Sequence, residues 1–335
     1  MGLYLRHPLS FEHDTGAHPE NAERVRAIER ELDSVGWYGL EIVEAPAASV
    51  EQLERVHPRA HIDAIRELSE SGGGMIDLDT VTSARSYEAA LHSAGGALHA
   101  VDRLLGGDET FGFCALRPPG HHAERSRAMG FCLFNNIAVA ISHALAEHGA
   151  ERAMVVDWDV HHGNGTQEVF YDSDRVLFCS IHQSPLYPGS GDEGEQGAGP
   201  GKGFTVNLPV APGAGPDEFL SLVQTVIVPL AREYRPALIG ISAGYDAHRD
   251  DPLAECELDE ASYGDMAASL RDLAAELEVP ILVCLEGGYA LDALAASVSA
   301  TIAALSGSVQ PRTAPAGAAE RQRRRLARRW ESLSG

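Results

Sequence analysis

The chain has 335 residues, of which 44% are apolar, and its formal net charge at pH 7 is −23. This length and composition suit one large core or at most two domains. The acidic charge argues against a nucleic-acid partner, because proteins that bind a phosphate backbone usually carry a basic excess. The charge would instead steer cationic substrates or simply maintain solubility, and the sequence does not separate these two roles.

Three features bear on where the protein works. No run of about 18 apolar residues occurs, so we expect no membrane partner. The N-terminus lacks the basic start and apolar run of a secretory signal. We expect reduced thiols in a cytoplasmic protein, because no two of its five cysteines are close in sequence: Cys114, Cys132, Cys179, Cys256 and Cys284. Whether the chain forms a homo-oligomer is left open.

Apolar runs typical of buried strands alternate with segments of helical period. Helical segments include 135–149 and 217–234, and "SVEQ" at 49–52 fits a capping box. Continuous apolar strands separated by helices favour a parallel sheet covered on both faces. We therefore predict one α/β domain, residues 1–305, with a three-layer αβα architecture and a mostly parallel central sheet. The predicted strands are 40–45, 110–116, 153–160, 176–182, 204–210, 237–244 and 281–288.

Two stretches lack this pattern. Residues 184–203 form a long Gly/Pro-rich loop, and a loop of this length in a compact domain is usually functional. Residues 306–335 are predicted to be a linker and a basic tail, with "ERQRRRLARRWESL" at 320–333. We expect this tail to dock loosely, as a short surface helix at most.

Acidic residues end the strand predicted at 153–160, in "MVVDWDVHHGNG". Alternation places Asp157, Asp159 and His161 on one side and the residues between them on the other. Two carboxylates on one face repel each other unless a cation lies between them, and Asp-x-His suits a metal with oxygen and nitrogen ligands. A helix-capping aspartate beside a buried histidine is the alternative. Asp246 ends the strand at 237–244 and could join this group, or it could be an ordinary turn aspartate.

Two further strand ends carry groups suited to acid–base chemistry. His121 and His122 lie in "RPPGHHAE" after the strand at 110–116, and imidazole titrates near neutral pH. Asp157 and Asn164 are candidates to orient them, and a carboxylate would make its histidine the more basic. Tyr289, in "EGGY", can donate a hydrogen bond to a developing oxyanion. A surface loop and a packing tyrosine are the plainer alternatives, but together these groups form a catalytic set.

The motifs resemble the zinc-dependent histone deacetylase family, which has the arginase/deacetylase fold. The similarity spans roughly residues 5–305, and "DWDVHHGNGTQ" with "GFCLFNNIA" is similar to the class II branch and its bacterial relatives. The matching stretches are "GAHPENAERVRAI" (16–28), "LDTVTSARSYEAAL" (78–91), "RPPGHHA" (117–123), "GFCLFNNIAVA" (130–140), "DWDVHHGNGTQ" (157–167), "SIHQSPLYPGSG" (180–191), "GYDAHRDDPL" (244–253) and "EGGY" (286–289).

The resemblance implies a role for each group at the strand ends. Zinc, or alternatively Fe²⁺, would be bound by Asp159, His161 and Asp246. Asp157 would support His121. The remaining members of the catalytic set would be His122, its partner Asn164, and Tyr289 as the oxyanion donor. The acyl-lysine channel would be lined by Gly130, Phe131, Tyr187 and Leu253.

Structural potassium is also implied by the resemblance. One ion would lie on the side chains of Asp157, Asp159 and Ser180 and on the backbone carbonyls of His161 and Ile181. A second would lie on the carbonyls of Phe170, Ser173, Val176 and Phe204. Cations on either side would allow two acids to share one strand face, and would keep His121 less basic than an isolated His–Asp pair.

The implied reaction is hydrolysis of acylated lysine or a related acylated amine, with metal-activated water and a histidine base. Which of the two histidines is the base stays open. An acetylpolyamine amidohydrolase is the rival reading, although Leu253, where one polyamine branch carries a gatekeeper glutamate, mildly favours acyl-lysine. An arginase-like binuclear hydrolase would need an Asp-x-His-x-Asp run. A catalytically inactive binding module would not need the intact Tyr289.

Overall fold

Eight parallel strands form the central sheet, in a computed structural model that describes residues 2–107, 109–315 and 317–334. Two further strands, β3 (Gly73–Met75) and β4 (Val81–Ser83), lie outside this sheet. The strands of the central sheet are β1 (Gly2–Arg6), β2 (Glu41–Glu44), β5 (Phe111–Cys114), β6 (Ala153–Asp157), β7 (Val176–Gln183), β8 (Thr205–Val210), β9 (Ile239–Ala243) and β10 (Ile281–Leu285). Their order across the sheet is β2–β1–β5–β10–β9–β6–β7–β8, with every neighbouring pair parallel. Strands β3 and β4 form a separate antiparallel pair. The predicted fold class is confirmed.

Helices cover both faces of the sheet. They are α1 (Glu23–Val35), α2 (Val50–Leu53), α3 (Arg59–Glu70), α4 (Ser86–Leu105), α5 (Asn136–Glu147), α6 (Asn164–Phe170), α7 (Pro216–Leu222), α8 (Val228–Tyr234), α9 (Glu260–Leu277), α10 (Leu291–Leu305) and α11 (Glu320–Leu326). Helices α1 and α7–α10 contribute to the core on one face, and α2–α6 to the core on the other. No helix in the described ranges is long and apolar enough to cross a bilayer.

Strand β6 explains why the predicted strands are apolar without interruption. Met154 and Val156 pack into the core formed with α7–α10, whereas Ala153 and Val155 pack into the core on the opposite face. Because successive side chains of a strand point to opposite faces, a sheet with helices on both sides buries every residue of its central strands. All five residues of β6 are buried, including Asp157 at its end.

Several predicted elements end earlier than expected. Strands β6, β9 and β10 stop at Asp157, Ala243 and Leu285, and the chain then enters loops at the carboxyl edge of the sheet.

The capping box is confirmed, since the Gln52 N–H donates to Ser49 Oγ and the Ser49 N–H donates to Gln52 Oε1. The helical segment predicted at 217–234 is divided into α7 and α8 by a π-helical turn at Val223–Ile227.

Strand β1 was not predicted. Its sequence "GLYLR" is short, and it lies between β2 and β5, where it hydrogen-bonds to both. Its side chains Leu3, Tyr4 and Leu5 are fully buried. Five residues at the start of a chain carry too little periodicity to be recognised. Their strand conformation depends on pairing with segments about 40 and 110 residues away.

The C-terminal segment packs more firmly than the expected loosely docked tail. Leu326, Trp330 and Leu333 are 8%, 5% and 3% exposed and belong to one of the two cores. The indole of Trp330 lies against Phe204 and Tyr234, with ring centroids 5.7 and 6.4 Å apart. The polar composition hid this, because exposed polar residues separate the three apolar side chains: Arg328 and Arg329 before Trp330, and Glu331 and Ser332 after it.

Replacement of Trp330 by alanine tests whether this segment is part of the core. Removing a large buried aromatic side chain leaves a cavity, and we expect Trp330→Ala to lower the free energy of unfolding by about 2–4 kcal/mol. The measurement is chemical denaturation of the full chain. Arg328→Ala, at an exposed position of the same segment, should leave stability unchanged. A loss below about 1 kcal/mol in Trp330→Ala would show that the segment is only loosely attached.

Candidate active site

The candidate site lies at the carboxyl edge of the sheet, where β5, β6, β9 and β10 end side by side. The loops that follow these strands carry the tandem histidines, the acid–histidine stretch, Asp246 and Tyr289. Loops at this edge of an open parallel sheet are the usual place for a binding site. The structure therefore brings together the residues that the sequence placed at separate strand ends.

Asp159, His161 and Asp246 form a buried group whose ligand atoms lie within 4.8 Å of one another. Nδ1 of His161 is 3.2 Å from Oδ1 of Asp159 and 3.1 Å from Oδ2 of Asp246. The second oxygens of the two carboxylates accept backbone N–H groups, from Gly287 to Asp159 at 2.8 Å and from Val160 to Asp246 at 2.9 Å. Two carboxylates and one imidazole directed at one point are a donor set that fits Zn²⁺ or Fe²⁺.

Glycines allow the two carboxylates to approach the backbone closely. A Cβ atom at Gly244 would lie 2.0 Å from Oδ2 of Asp159, and one at Gly287 would lie 2.0 Å from Oδ2 of Asp246. Both distances are shorter than any non-bonded contact. The arrangement of Asp159, His161 and Asp246 as a candidate metal-binding group therefore depends on these glycines, one in each of the loops that follow β9 and β10.

The tandem histidines have different partners. Nδ1 of His121 lies 3.0 Å from Oδ2 of Asp157, and Nδ1 of His122 lies 2.8 Å from Oδ1 of Asn164. The Asn164 amide also donates from Nδ2 to Glu124 Oε1 at 2.9 Å, which fixes Oδ1 as the atom that faces His122. Nδ1 of His122 must then carry the proton, and its Nε2 keeps a free lone pair.

These partners separate the pKa values of the two histidines. Burial, together with the neighbouring His121 and His161, holds the pKa of His122 well below its usual value. Burial would also lower the pKa of His121, but the carboxylates of Asp159 and Asp157 raise it well above the usual value. In the absence of bound cations the pair therefore holds one neutral and one protonated imidazole at neutral pH. A cation on the two carboxylates would oppose the rise at His121.

A buried carboxylate that we did not single out from the sequence holds the histidine turn in place. Oε2 of Glu286 accepts the backbone N–H groups of Gly120 and His121 at 2.7 and 3.1 Å, and Oε1 accepts the Ser242 hydroxyl. Glu286 is fully buried, and burial raises the pKa of its carboxyl to about 7. It belongs to the "EGGY" motif, in which only the tyrosine had been interpreted.

Tyr289 is held from two sides. Its backbone N–H donates to Asp251 Oδ2 at 2.7 Å, and Asp251 also accepts the Leu253 N–H at 3.0 Å. The guanidinium of Arg24 lies 5.0 Å from the centre of the tyrosine ring and donates to the carbonyl of Gly288 at 2.6 Å. Burial raises the pKa of the Tyr289 hydroxyl well above its usual value, so the phenol stays protonated and can donate.

The predicted channel residues share one cavity with this chemistry. A cavity of about 230 Å³ lies above the histidines, and all four predicted channel residues line it. Tyr187 packs its ring edge-on against His122, with centroids 5.2 Å apart, and Phe131 packs similarly against Tyr289 at 5.8 Å. Asp79, another lining residue, was not singled out from the sequence. The residues that were predicted for the site and that line this cavity are Gly130, Phe131, Tyr187, Leu253, His121, His122, His161 and Tyr289.

The residues expected to bind potassium fall into two places. Asp157 and Ser180 are register partners on β6 and β7, with Ile181 next in β7, close to the metal-binding group. The second set lies around the opposite end of β7, where the carbonyl of Phe204 accepts the Phe178 N–H at 2.9 Å. Its remaining members are at the ends of α6 and β7 and between them: Phe170, Ser173 and Val176.

A second cluster of histidine and aspartate lies outside the site, where Asp102, His143 and His148 meet. Nε2 of each histidine is within 2.8 Å of Oδ1 of Asp102. However, Nδ1 of His143 lies 2.7 Å from the guanidinium of Arg55, which can only donate. In a neutral His143, Nε2 then carries the proton and has no lone pair for a metal. The geometry fits a hydrogen-bonded charge network.

The comparisons with known proteins agree with this geometry. The family model described as "Histone deacetylase domain" matches residues 18–305. The chain belongs to the histone deacetylase family. A "Histone deacetylase-like amidohydrolase" from Pseudomonas aeruginosa is 43% identical over 81% of this chain and 72% of its own length. A "Probable deacetylase" from Archaeoglobus fulgidus is 38% identical over 91% and 84%.

A solved structure shares the whole architecture of this histone deacetylase family member. The crystal structure of the HDA15 HD domain superposes with a TM-score of 0.92 at 35% sequence identity, and covers 99% of this chain and 97% of that one. The chain thus has the fold of this family and is a hydrolase that acts on amide bonds. Membership of the family implies that its substrate is acylated. The family is metal-dependent, and the Asp159–His161–Asp246 group is the place where a metal fits.

Gly287→Ala tests the dependence of the metal group on close backbone approach. The added methyl group would displace the carboxylates of Asp246 and Asp159, so we expect at least about tenfold weaker Zn²⁺ binding. Calorimetric titration of the metal-free protein measures this. Gly215→Ala, where a Cβ meets nothing within 4 Å, should bind Zn²⁺ like the parent chain. Equal affinity in both variants would mean that the ligands do not lie as described.

Proposed function

We propose that the protein removes acetyl or other short acyl groups from the side-chain amine of acylated lysine, or from a related acylated amine. The observation that carries this proposal is the convergence of a metal-binding group, two histidines of different basicity and a protonated tyrosine at the base of one channel. The relatives' printed names, amidohydrolase and deacetylase, point to the same reaction.

Zinc is the proposed metal, with Fe²⁺ as the alternative that the same ligands accept. Held by Asp159, His161 and Asp246, it would polarise the amide carbonyl and activate a water molecule. The donor set supports a single metal centre of this kind. An arginase-like pair of metals is disfavoured, because the run from Asp157 to His161 is Asp-x-Asp-x-His rather than Asp-x-His-x-Asp. We also propose K⁺ at the two places described above, where it would offset the buried acids.

His122 is the proposed base. Its lowered pKa keeps it neutral, and its Nδ1–H on Asn164 leaves Nε2 free to take a proton from water and return it to the leaving amine. His121, beside Asp157 and Asp159, is the more basic of the two histidines, and cations bound to those carboxylates would reduce this difference. The hydroxyl of Tyr289 donates a hydrogen bond to the carbonyl oxygen as it gains charge. Asp157 and Asn164 are positioning residues in this scheme.

The proposed identity of the acylated amine in the substrate is inferred from the residues that line the channel. Leu253 contributes an apolar side chain to the lining, which suits the methylene stem of an acyl-lysine. Asp79 also lines this cavity, and together with the net charge of −23 it would attract a cationic substrate such as an acetylpolyamine. This acid keeps the acetylpolyamine amidohydrolase as the second candidate. Five free, buried cysteines support a reducing compartment such as the cytoplasm.

The first test is hydrolysis of a panel of acetyl-lysine peptides, acetylspermidine, acetylputrescine and longer acyl-lysines. We expect turnover of the peptides, and Tyr289→Phe should lower kcat by at least about 10² because it removes one oxyanion donor. Tyr38→Phe, whose hydroxyl faces Ser299 in another part of the fold, is the matched control. Unchanged turnover in Tyr289→Phe would refute the assignment, and turnover of the acetylpolyamines alone would select the second candidate.

The pH profile tests the assignment of the base. In Asn164→Asp a carboxylate replaces the amide at 2.8 Å from His122 Nδ1, which favours the protonated imidazole and raises its pKa. The base is then neutral only at higher pH, so the acid limb of kcat/KM against pH should move upward. Gln310→Glu makes the same charge change at an exposed position and should leave the profile in place. An unmoved limb in Asn164→Asp would exclude His122 as the titrating base.

A further inference from the structure

The C-terminal segment 320–333 lies across the Gly/Pro-rich loop 184–203. The guanidinium of Arg325 donates to the carbonyl of Glu193 in this loop at 2.8 Å and to the carbonyl of Asn207 in β8 at 2.7 Å. Gln322 adds a hydrogen bond from its amide to Glu193 Oε1 at 2.7 Å. The Arg325 side chain is 18% exposed. A planar guanidinium thus joins the loop to the neighbouring strand with two directed bonds.

Apolar packing fixes the end of the same loop. Trp330 packs edge-on against Phe204, the residue that leads from the loop into β8. The guanidinium of Arg329 lies over the ring of Phe204, 4.8 Å from the ring centre. A Cβ at Gly203 would collide with Arg329 at 1.9 Å. The segment therefore covers both the middle and the end of the loop.

Hydrogen bonds continue from this contact toward the metal-binding group. The amide of Asn207 donates to Gln167 Oε1 at 2.7 Å and to the carbonyl of Glu195 at 3.1 Å. Gln167 Oε1 also lies 3.1 Å from Nε2 of His162, and Nδ1 of that histidine lies 2.8 Å from Ser190 Oγ in the loop. His162 directly follows the metal ligand His161. The sequence had offered no role for His162, and here it fastens the loop to the β6 end.

The loop that is held in this way supplies one wall of the channel. Leu186 and Tyr187 lie near its start, and both line the cavity above the histidines. Seven of its twenty residues are glycine, so the chain loses much conformational freedom when the loop adopts one shape. Contacts from outside the loop must offset that loss for the channel wall to keep its position.

We propose that the C-terminal segment is a positioning element for the acyl-substrate channel. Through Arg325 and Trp330 it orders the loop 184–203, and the ordered loop places Tyr187 against His122. The effect on substrate binding rests on the proposed function. The effect on the loop does not, and it can be measured without any substrate.

The test compares Arg325→Ala with Arg324→Ala in the full chain. Arg325→Ala removes the bonds to Glu193 and Asn207 but keeps the apolar anchors. Arg324 is 80% exposed, and its only ion pair among the described residues is with Glu320 on its own helix, so its replacement is the control. Amide hydrogen exchange of peptides from 184–203 is the first readout. Steady-state kinetics on an acetyl-lysine peptide is the second.

We expect faster exchange of the loop in Arg325→Ala, with KM raised at least about threefold and kcat within about twofold, because the catalytic groups remain in place. Arg325→Lys should not restore the parent values, since an ammonium cannot reproduce the two directed bonds. If Arg325→Ala does not fold, Gln322→Ala removes the bond to Glu193 Oε1 and the bond that Gln322 Oε1 accepts from Arg325 Nε, but keeps the Arg325 bonds to the carbonyls of Glu193 and Asn207. It should give a smaller increase in exchange of the same peptides.

Unchanged exchange of the loop in Arg325→Ala, or an equal change in Arg324→Ala, would overturn the proposal. So would faster exchange with unchanged KM, or a fall in kcat alone, since each separates the segment from the channel wall. If the parent chain hydrolyses no acyl substrate, the proposed function fails. The exchange comparison would still decide whether the C-terminal segment orders the loop.

Discussion

The burial of several carboxylates at one sheet edge is the constraint on which the rest of the site depends. Asp157, Asp159, Asp246 and Glu286 are all 0–1% exposed. Burial raises the pKa of Asp157 to about 6 and, together with the charge of Asp159, raises that of Asp246. No arginine or lysine pairs with the three aspartates among the described ion pairs. Backbone N–H groups and histidines satisfy part of their charge, and a bound cation would satisfy the rest.

The surrounding structure holds these buried carboxylates together and satisfies part of their charge. Parallel strands deliver the acids to one edge, and glycines at the ends of β9 and β10 let backbone N–H groups reach the carboxylates. The two histidines then lie in different fields, one beside Asp157 and one beside the uncharged Asn164. In the proposed mechanism, this difference makes His122 the imidazole that accepts a proton. Phe131 and Leu253 line the cavity beside the histidines, and we propose that the C-terminal segment supports the loop that forms one of its walls.

The sequence predicted the parts that depend on local pattern. The alternation predicted through residues 153–161 separates Asp157, Asp159 and His161 from Trp158 and Val160, and these two apolar residues do lie in the core, although β6 itself ends at Asp157. The strand ends located the histidines and Tyr289. The rest depends on contacts between distant segments. Strand β1 forms by pairing with β2 and β5, Glu286 acts through backbone N–H groups 165 and 166 residues away, and the tail docks through three apolar side chains among arginines. Such contacts leave no periodic signal in one sequence.

Thermal unfolding with and without metal tests the central claim most directly. If a cation stabilises the buried acids, removal of metal by a chelator and dialysis should lower Tm by several degrees. One equivalent of Zn²⁺ per chain should then restore Tm, because binding to the folded state alone stabilises it. A metal-free protein with the same Tm, and no stoichiometric Zn²⁺ binding, would contradict the claim that the acids at this sheet edge form a metal centre.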